Sequence, residues 1–318
     1  MRAVCVTSAS AERRLSLEEY EDPAPAGDDV KVAVKAISLN NGEVREALAA
    51  PVGYRPGWDF SGIVEYAPDG SAFAVGDRVV GLKFEGAWAE RVILSPAFLA
   101  RIPDDVSFEA AATLPVAGMT ASLALTKKAL MYGNRVLVTA ATGGVGLFAI
   151  QLAAAAGVHV TAYLRSEADV ALLRGLPVHA VAVGELNAAG GGPYDLILEG
   201  VGGQLLGRAL SLLAPRGVCV QFGDAAGDEL TTFDAKAFRL GSGGLYGGTS
   251  LYGFFLGEEL TRPGAPIAGS ILADLASRLA EGTLDPVINQ RGSWRDVDEV
   301  SRALMARRFK GKAVLTVD

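Results

Sequence analysis

At 318 residues, half of them apolar, the chain is long enough for two domains with sizeable cores, and 39 glycines against 14 prolines point to many strand–turn–helix junctions rather than disorder. A formal net charge of −7 argues against a polyanion as the main partner, because nucleic-acid binding needs a basic face; a small molecule is expected instead.

The opening MRAVCVTSASAERR lacks the apolar stretch and small-residue cleavage site of a signal peptide. Cys5 and Cys219, far apart and each among alternating valines, read as buried thiols rather than a disulfide framework. Both features fit a reducing cytoplasm.

Residues 1 to 112 carry short alternating segments, KVAVKAISLN, GWDFSGIVEYA, DRVVGLKF and AWAERVIL, divided by turns such as APDGS and AVGDR. This predicts a β-rich domain with little helix before EVREALA. From Val136 to Leu164 there is no Asp, Glu, Lys or Arg, a length that could span a bilayer. GGVG near its start and Gly157 and His159 in its second half divide it into strand, turn, helix, turn and strand. A central parallel strand with its crossover helix is this apolar without a membrane. VLVTA (136–140) is the first strand, Gly144 to Ala156 a helix and VHVTAYL (158–164) the second strand. EADVALLRGL then reads as helix, VHAVAV (178–183) as strand, YDLILEGVGG (194–203) as a strand ending in glycine, QLLGRALSLLA as helix and GVCVQFG (217–223) as strand. The alternation predicts an α/β fold with a doubly wound parallel sheet, its ligand at the carboxyl ends of the strands. Further helices are expected near IAGSILADLASRLAEG and at SWRDVDEVSRALMARR, where Ser293 and Asp296 have capping-box spacing. A last strand, KAVLTVD, has nothing after it to pair with.

Ala140, Gly143 and Gly146 form A-x-x-G-x-x-G directly after a strand and at the start of a helix, the context of a dinucleotide fingerprint. Thr142, Gly143, Gly144 and Val145 are the expected pyrophosphate cradle, their N–H groups lying at the positive end of a helix. The alternative is a tight packing turn. About 20 residues on, where an acid would bond the adenosine ribose, the strand ends in Leu164, Arg165 and Ser166. A guanidinium and a hydroxyl there suit a 2′-phosphate, so the expected cofactor is NADPH. Glu167 could instead argue for NAD, and Arg165 could simply pair with Glu167 or Asp169 on the surface. His159 and His179 have no triad-like neighbours and read as structural.

PGWDFSGIVE (56–65), VGDRV (75–79), GAWAERV (86–92), AATLPVAGMTA (111–121), VLVTAATGGVG, YDLILEGVGG and GKAVL together resemble the medium-chain dehydrogenase/reductase superfamily, in its zinc-free quinone oxidoreductase branch. The resemblance implies a discontinuous GroES-like catalytic domain, residues 1–112 and 257–318, interrupted by a Rossmann domain, residues 113–256. Where zinc alcohol dehydrogenases of the superfamily have a metal-ligating histidine, this chain has Trp58 between Gly57 and Asp59, and no histidine precedes His159. No metal site is expected.

The resemblance further implies an NADPH-dependent oxidoreductase passing hydride to a quinone or to the activated C=C of an α,β-unsaturated carbonyl. An enoyl-thioester reductase and a non-catalytic NADPH-binding protein are the alternatives. Asn40 matches the family asparagine and could bond a substrate carbonyl or the cofactor, or only its own turn. The family's following tyrosine is missing; Tyr54, the nearest, could serve as proton donor or oxyanion partner, with water the alternative proton source, and Glu43 could act as an acid or be a surface partner of Arg45. By family correspondence Thr120 would sit near the nicotinamide, Gly200, Val201, Phe222 and Gly223 along the cofactor, and Lys312 within reach of the pyrophosphate. The aromatic segment SGGLYGGTSLYGFFL (242–256), with Tyr246, Leu251, Tyr252, Phe254 and Phe255, lies where the family joins two Rossmann sheets, so a homodimer is expected.

Overall fold

The strand Val30–Leu39 shows how the β-rich half is built: Val30, Val32 and Val34 are buried between less buried Lys31, Ala33 and Lys35, and from Ala36 onward both faces are covered. Alternation buries one face of a strand, and the change at Ala36 marks where a second layer begins. That layer is the helix Phe108–Ala112, whose Ala112 packs with Ala36 and Val314.

The computed structural model describes residues 1–8, 13–186, 192–241, 247–265 and 267–318. The chain divides into two units, Met1–Met119 with Leu260–Asp318, and Thr120–Glu259. In the first unit Val30–Leu39 lies between Asp59–Tyr66 and Lys312–Thr316, antiparallel to both. Arg78–Leu82 and Leu99–Arg101 extend the sheet on one side, Ile288–Ser293 on the other, and Arg91–Leu94 pairs with the amino end of Val30–Leu39. A separate antiparallel pair is formed by Arg2–Val6 and Leu15–Glu19. The last strand of the chain is therefore an inner strand of this sheet, parallel to Ile288–Ser293. Trp88, Trp294 and Phe60 are fully buried in the core beneath it.

Among the described residues the second unit holds six parallel strands in the spatial order Ala180–Val183, His159–Leu164, Arg135–Val138, Tyr194–Glu199, Leu213–Gln221 and Ser250–Gly253. In chain order this is 3-2-1-4-5-6, the dinucleotide-binding arrangement, which reverses direction beside the first strand. The helices Gly144–Ala155 and Gly203–Leu210 are its long connections.

Two expected helices come out shorter. EADVALLRGL forms a 3₁₀ segment, Glu167–Leu173, because left-handed Gly175 and then Pro177 close it before α-helical bonds can accumulate. QLLGRALSLLA ends as helix at Leu210, and its last residues enter the strand Leu213–Gln221, since Pro215 cannot continue a helix. The helix in SWRDVDEVSRALMARR runs Val297–Met305 behind a 3₁₀ turn, where Ser293 Oγ accepts from Arg295 N at 3.2 Å. Ser250–Gly253 is the edge of the parallel sheet; Leu251 is 44% and Phe255 70% exposed, whereas Phe254 is buried. Tyr246 lies outside the described residues. No helix among the described residues is long and apolar enough to cross a membrane.

Trp294 fills the first core and donates its indole N–H to Asp318 Oδ1 at 2.9 Å. Trp294→Ala should destabilise the protein by about 3–5 kcal/mol, read as a lower urea midpoint with an unchanged slope.

Candidate active site

In the second unit the strand Arg135–Val138 leads into Ala140, held in the left-handed region at φ 48°. Gly143 turns its N–H inward to Ala140 O at 2.9 Å, so this group of the expected cradle is engaged within the turn. Leu147 N is the first to bond back, to Gly143 O, which leaves the N–H groups of Gly144, Val145 and Gly146 as the open first turn of a twelve-residue helix. A Cβ on Gly146 would lie 2.4 Å from Ala140 O, so this glycine allows the helix to sit against the turn. Thr142, Gly143, Gly144 and Val145 remain partly exposed.

At the end of the next strand Arg165 and Ser166 are exposed, and Ser166 Oγ accepts from Ala168 N at 3.3 Å. Tyr163 beneath them donates its hydroxyl to Gly184 O at 2.7 Å. Burial raises the Tyr163 pKa, while the guanidiniums of Arg208 and Arg165 act against it; Arg208 is a second cation of this corner that the sequence did not single out. Thr120 is buried in the helix Met119–Leu125.

The strand Tyr194–Glu199 ends in a carboxylate that sequence reasoning also missed. Glu199 is fully buried; its Oε1 accepts from Thr139 Oγ1 at 3.0 Å and Val201 N at 2.8 Å, and its Oε2 from Gly202 N at 2.9 Å. Burial raises its pKa, opposed by these three bonds. Beside it the Phe222 ring lies over Gly200, where a Cβ would come within 2.7 Å of the ring, and a Cβ on Gly223 would meet Gly200 O at 2.9 Å.

The first unit gathers Asn40, Glu43, Asp59 and Lys312 in one buried cluster. Asn40 precedes the helix Asn41–Ala49, and Glu43, three residues on, accepts from Asn40 N at 2.7 Å, the acidic half of a capping box. Glu43 also accepts from Asn40 Nδ2 at 2.9 Å and from Trp58 N at 2.6 Å. It is 1% exposed, which corrects the surface pairing with Arg45 expected from the sequence. Asp59 Oδ2 accepts from Asn40 Nδ2 at 2.7 Å, and its Oδ1 accepts from Val116 N at 2.9 Å, within a π-helical turn, Leu114–Gly118. Lys312 donates to Asn40 Oδ1 at 2.6 Å and to Leu39 O at 3.2 Å, and lies 3.6 Å from Asp59 Oδ2. Lys312 is 2% exposed, so the ammonium expected at a pyrophosphate is held inside this unit.

Burial pushes Glu43 well above the usual carboxylate range, and the Asp59 charge adds to this, against the pull of Lys312 and Asn40. Burial pushes Asp59 up to about 6, opposed by Lys312 and the bonds from Asn40 and Val116. The Lys312 pKa is lowered by burial, with both carboxylates acting against that. Tyr54 is half-buried at the rim of the core; burial and its bond to Glu46 raise its pKa, so the phenol keeps its proton at neutral pH.

Among the described residues no three His, Cys, Asp or Glu side chains converge as a metal site. Two carboxylates bridged by an amide and an ammonium do not fit a zinc ion, which would have to displace Lys312. His159 and His179 stack in the second unit with centroids 4.7 Å apart, and His179 Nδ1 accepts from Val160 N at 3.2 Å.

A doubly wound parallel sheet with an open glycine turn at its switch point is the dinucleotide-binding class of fold. Residues 26–104 match the alcohol dehydrogenase GroES-like domain and residues 144–265 the family described as zinc-binding dehydrogenase. The chain is 30% identical over 331 residues to the quinone oxidoreductase-like protein 2 of Bos taurus, covering 97% of this chain and 91% of that protein. It is 35% identical over 311 residues to an erythronolide synthase of Saccharopolyspora erythraea, covering 94% of this chain but spanning only 8% of that much longer protein. The solved quinone oxidoreductase of Pseudomonas syringae pv. Tomato DC3000 matches with a TM-score of 0.84 at 26% identity, over 99% of each chain. The chain belongs to the medium-chain dehydrogenase/reductase superfamily, in its zinc-free, quinone-oxidoreductase-like branch.

The buried cluster has a pH signature. Asp59 keeps its proton in the folded state up to about pH 6, whereas the unfolded chain releases it near the ordinary 3.8. Between these values the folded state binds more protons, so the contribution of Asp59 to stability is full at the acid end and is lost as pH rises through 6. Urea midpoints measured from pH 4 to 7 should show this decline in the wild type, and Asp59→Asn should flatten it relative to the wild type.

Proposed function

We propose that the chain is a zinc-independent reductase that takes hydride from NADPH and delivers it to a quinone or to the activated C=C of an α,β-unsaturated carbonyl. The open glycine turn carries this reading: three N–H groups at a helix start, at the switch in strand order, with Arg165 and Ser166 at the end of the neighbouring strand. Bound NADPH supplies the hydride. Thr142, Gly144 and Val145 would hold the pyrophosphate, with Gly143 shaping the turn, and Arg165 and Ser166 would take the 2′-phosphate. Thr120, Gly200, Val201, Phe222 and Gly223 would line the nicotinamide half.

The donor set of the first unit suits an acceptor that is already electrophilic. An alcohol would need a Lewis acid or a strong base to lower its hydroxyl pKa, and the ammonium and carboxylates present are tied to one another. Both amide hydrogens of Asn40 are likewise engaged, on Glu43 and Asp59, so Asn40 serves by ordering the helix start. Tyr54, which stays protonated, is the proposed donor to the enolate left by hydride addition. A second reading, reduction of an enoyl thioester, is favoured by the 35% identity to one stretch of an erythronolide synthase.

A panel of quinones, enals, enones and enoyl thioesters, each followed by loss of NADPH absorbance, tests both. Turnover confined to thioesters selects the second reading, and binding without turnover on any acceptor removes both. In the same assays NADPH should be preferred to NADH, and Arg165→Ala should erase most of that preference, about tenfold or more. Equal dissociation constants for the two cofactors in the wild type would overturn the choice.

The sheet edge supports a homodimer. Among the described residues Ser250–Gly253 pairs on one side only, and Leu251 and Phe255 beside that edge are exposed. Equilibrium sedimentation at micromolar concentration should give twice the chain mass of 32.9 kDa, and Leu251→Glu should shift the protein toward monomer.

A further inference from the structure

The turn after Tyr194–Glu199 spends its backbone on the protein itself. Gly200 N donates to Thr139 Oγ1 at 2.9 Å, and Val201 N and Gly202 N donate directly to Glu199 at 2.8 and 2.9 Å. Thr139 Oγ1 in turn donates to Glu199 Oε1 at 3.0 Å. Three consecutive N–H groups therefore converge on one hydroxyl and one carboxylate, the concave arrangement that elsewhere binds an anion from solution. The opposite edge is also occupied, since Gly200 O accepts from Ala225 N at 3.3 Å and Val201 O from Ala226 N at 2.7 Å. The same Thr139 stands immediately before Ala140, whose carbonyl shapes the first glycine turn. One buried carboxylate thus joins the two turns at the carboxyl ends of adjacent strands.

We infer that Glu199, acting with Thr139, is a positioning residue for the nicotinamide half of the cofactor. This rests on the dinucleotide reading above. In a 3-2-1-4-5-6 sheet each half of the dinucleotide lies over one half of the strands. Arg165 ends a strand on one side of Arg135–Val138, and Glu199 ends the strand on the other. With its N–H groups engaged, the Gly200–Gly202 turn has no free backbone donor to offer a ligand and meets it chiefly through its Cα surface and the Val201 side chain. Its contribution is shape, and the shape is set by the carboxylate. An amide in place of the carboxylate brings an N–H₂ group against a set of N–H and O–H donors, so at least one of the three bonds must break.

The test compares two probes, NADPH and adenosine 2′,5′-bisphosphate, which carries the adenosine half alone. Dissociation constants are measured by calorimetry for the wild type and for Glu199→Gln, Thr139→Val and Thr139→Ser, with the melting temperature of each ligand-free protein. Glu199→Gln and Thr139→Val should each weaken NADPH about tenfold and leave the bisphosphate within twofold. Thr139→Ser, which keeps the hydroxyl, should bind NADPH like the wild type. Thr139→Val keeps the test open if Glu199→Gln does not fold. Unchanged NADPH affinity in the folded variants, or an equal loss for both probes, would overturn the positioning role. A wild type that binds neither probe would overturn the dinucleotide reading as well, and that failure is visible before any variant is made.

Discussion

Everything proposed for this protein depends on where the backbone N–H groups at the ends of its central parallel strands find acceptors. A strand that stops in the interior leaves donors that must be satisfied by protein, water or ligand. The two turns flanking the switch in strand order solve this in opposite ways. After Arg135–Val138 the chain starts a helix, and the N–H groups of Gly144, Val145 and Gly146 have no partner among the described residues. After Tyr194–Glu199 it supplies its own anion, and the donors close on Glu199 and Thr139. Only the first turn can serve an anionic ligand through its backbone. The second excludes one, because a phosphate would have to compete with a carboxylate already in place.

The buried cluster of the first unit obeys the same accounting with ionisable groups. Desolvation penalises each of Glu43, Asp59 and Lys312, and the penalty is tolerable because each has opposite charge or oriented dipoles within hydrogen-bond reach. Asn40 makes this possible. Its amide has both a donor and an acceptor end, so it bonds the two carboxylates through Nδ2 and the ammonium through Oδ1. A second carboxylate at that position would add repulsion, and a second ammonium would leave the helix start unbonded.

The parallel sheet was legible in the sequence because a chain without charges from Val136 to Leu164, broken by glycine, has few ways to fold. The strand at KAVLTVD was legible as a strand, but its place between Val30–Leu39 and Ile288–Ser293 was not, since pairing over some 270 residues leaves no local pattern. The candidate site was less legible. Glu43 was read by residue type as a surface partner of Arg45, since charged residues are usually exposed, and Lys312 was placed by the family resemblance alone. Here tertiary structure buries both, and the only sequence signal was the spacing of Asn40 and Glu43, a capping pair that looked merely local. Glu199 had a clearer signal, an acid ending a buried apolar strand directly before Gly200, Val201, Gly202 and Gly203. A carboxylate there must be solvated by something, and the following N–H groups are the nearest donors.

The hydride acceptor proposed above rests on what the first unit does not supply. Alcohol oxidation requires a hydroxyl proton to leave as hydride departs, so the site must hold a cation or base free to act on the alcohol oxygen. Lys312 is the cluster's one ammonium, and it is committed to Asn40, Leu39 and Asp59. Freeing it would leave Asp59 and Glu43 buried with no cation within the cluster, a cost of several kcal/mol that no weak contact to an alcohol would offset. A conjugated C=C or a quinone makes no such demand. Its own π system accepts the hydride, the charge moves to a carbonyl oxygen at the far end, and protonation follows as a separate step. The arrangement that stabilises the first unit thus supports the proposed acceptors, which bring their own electron sink, over alcohols.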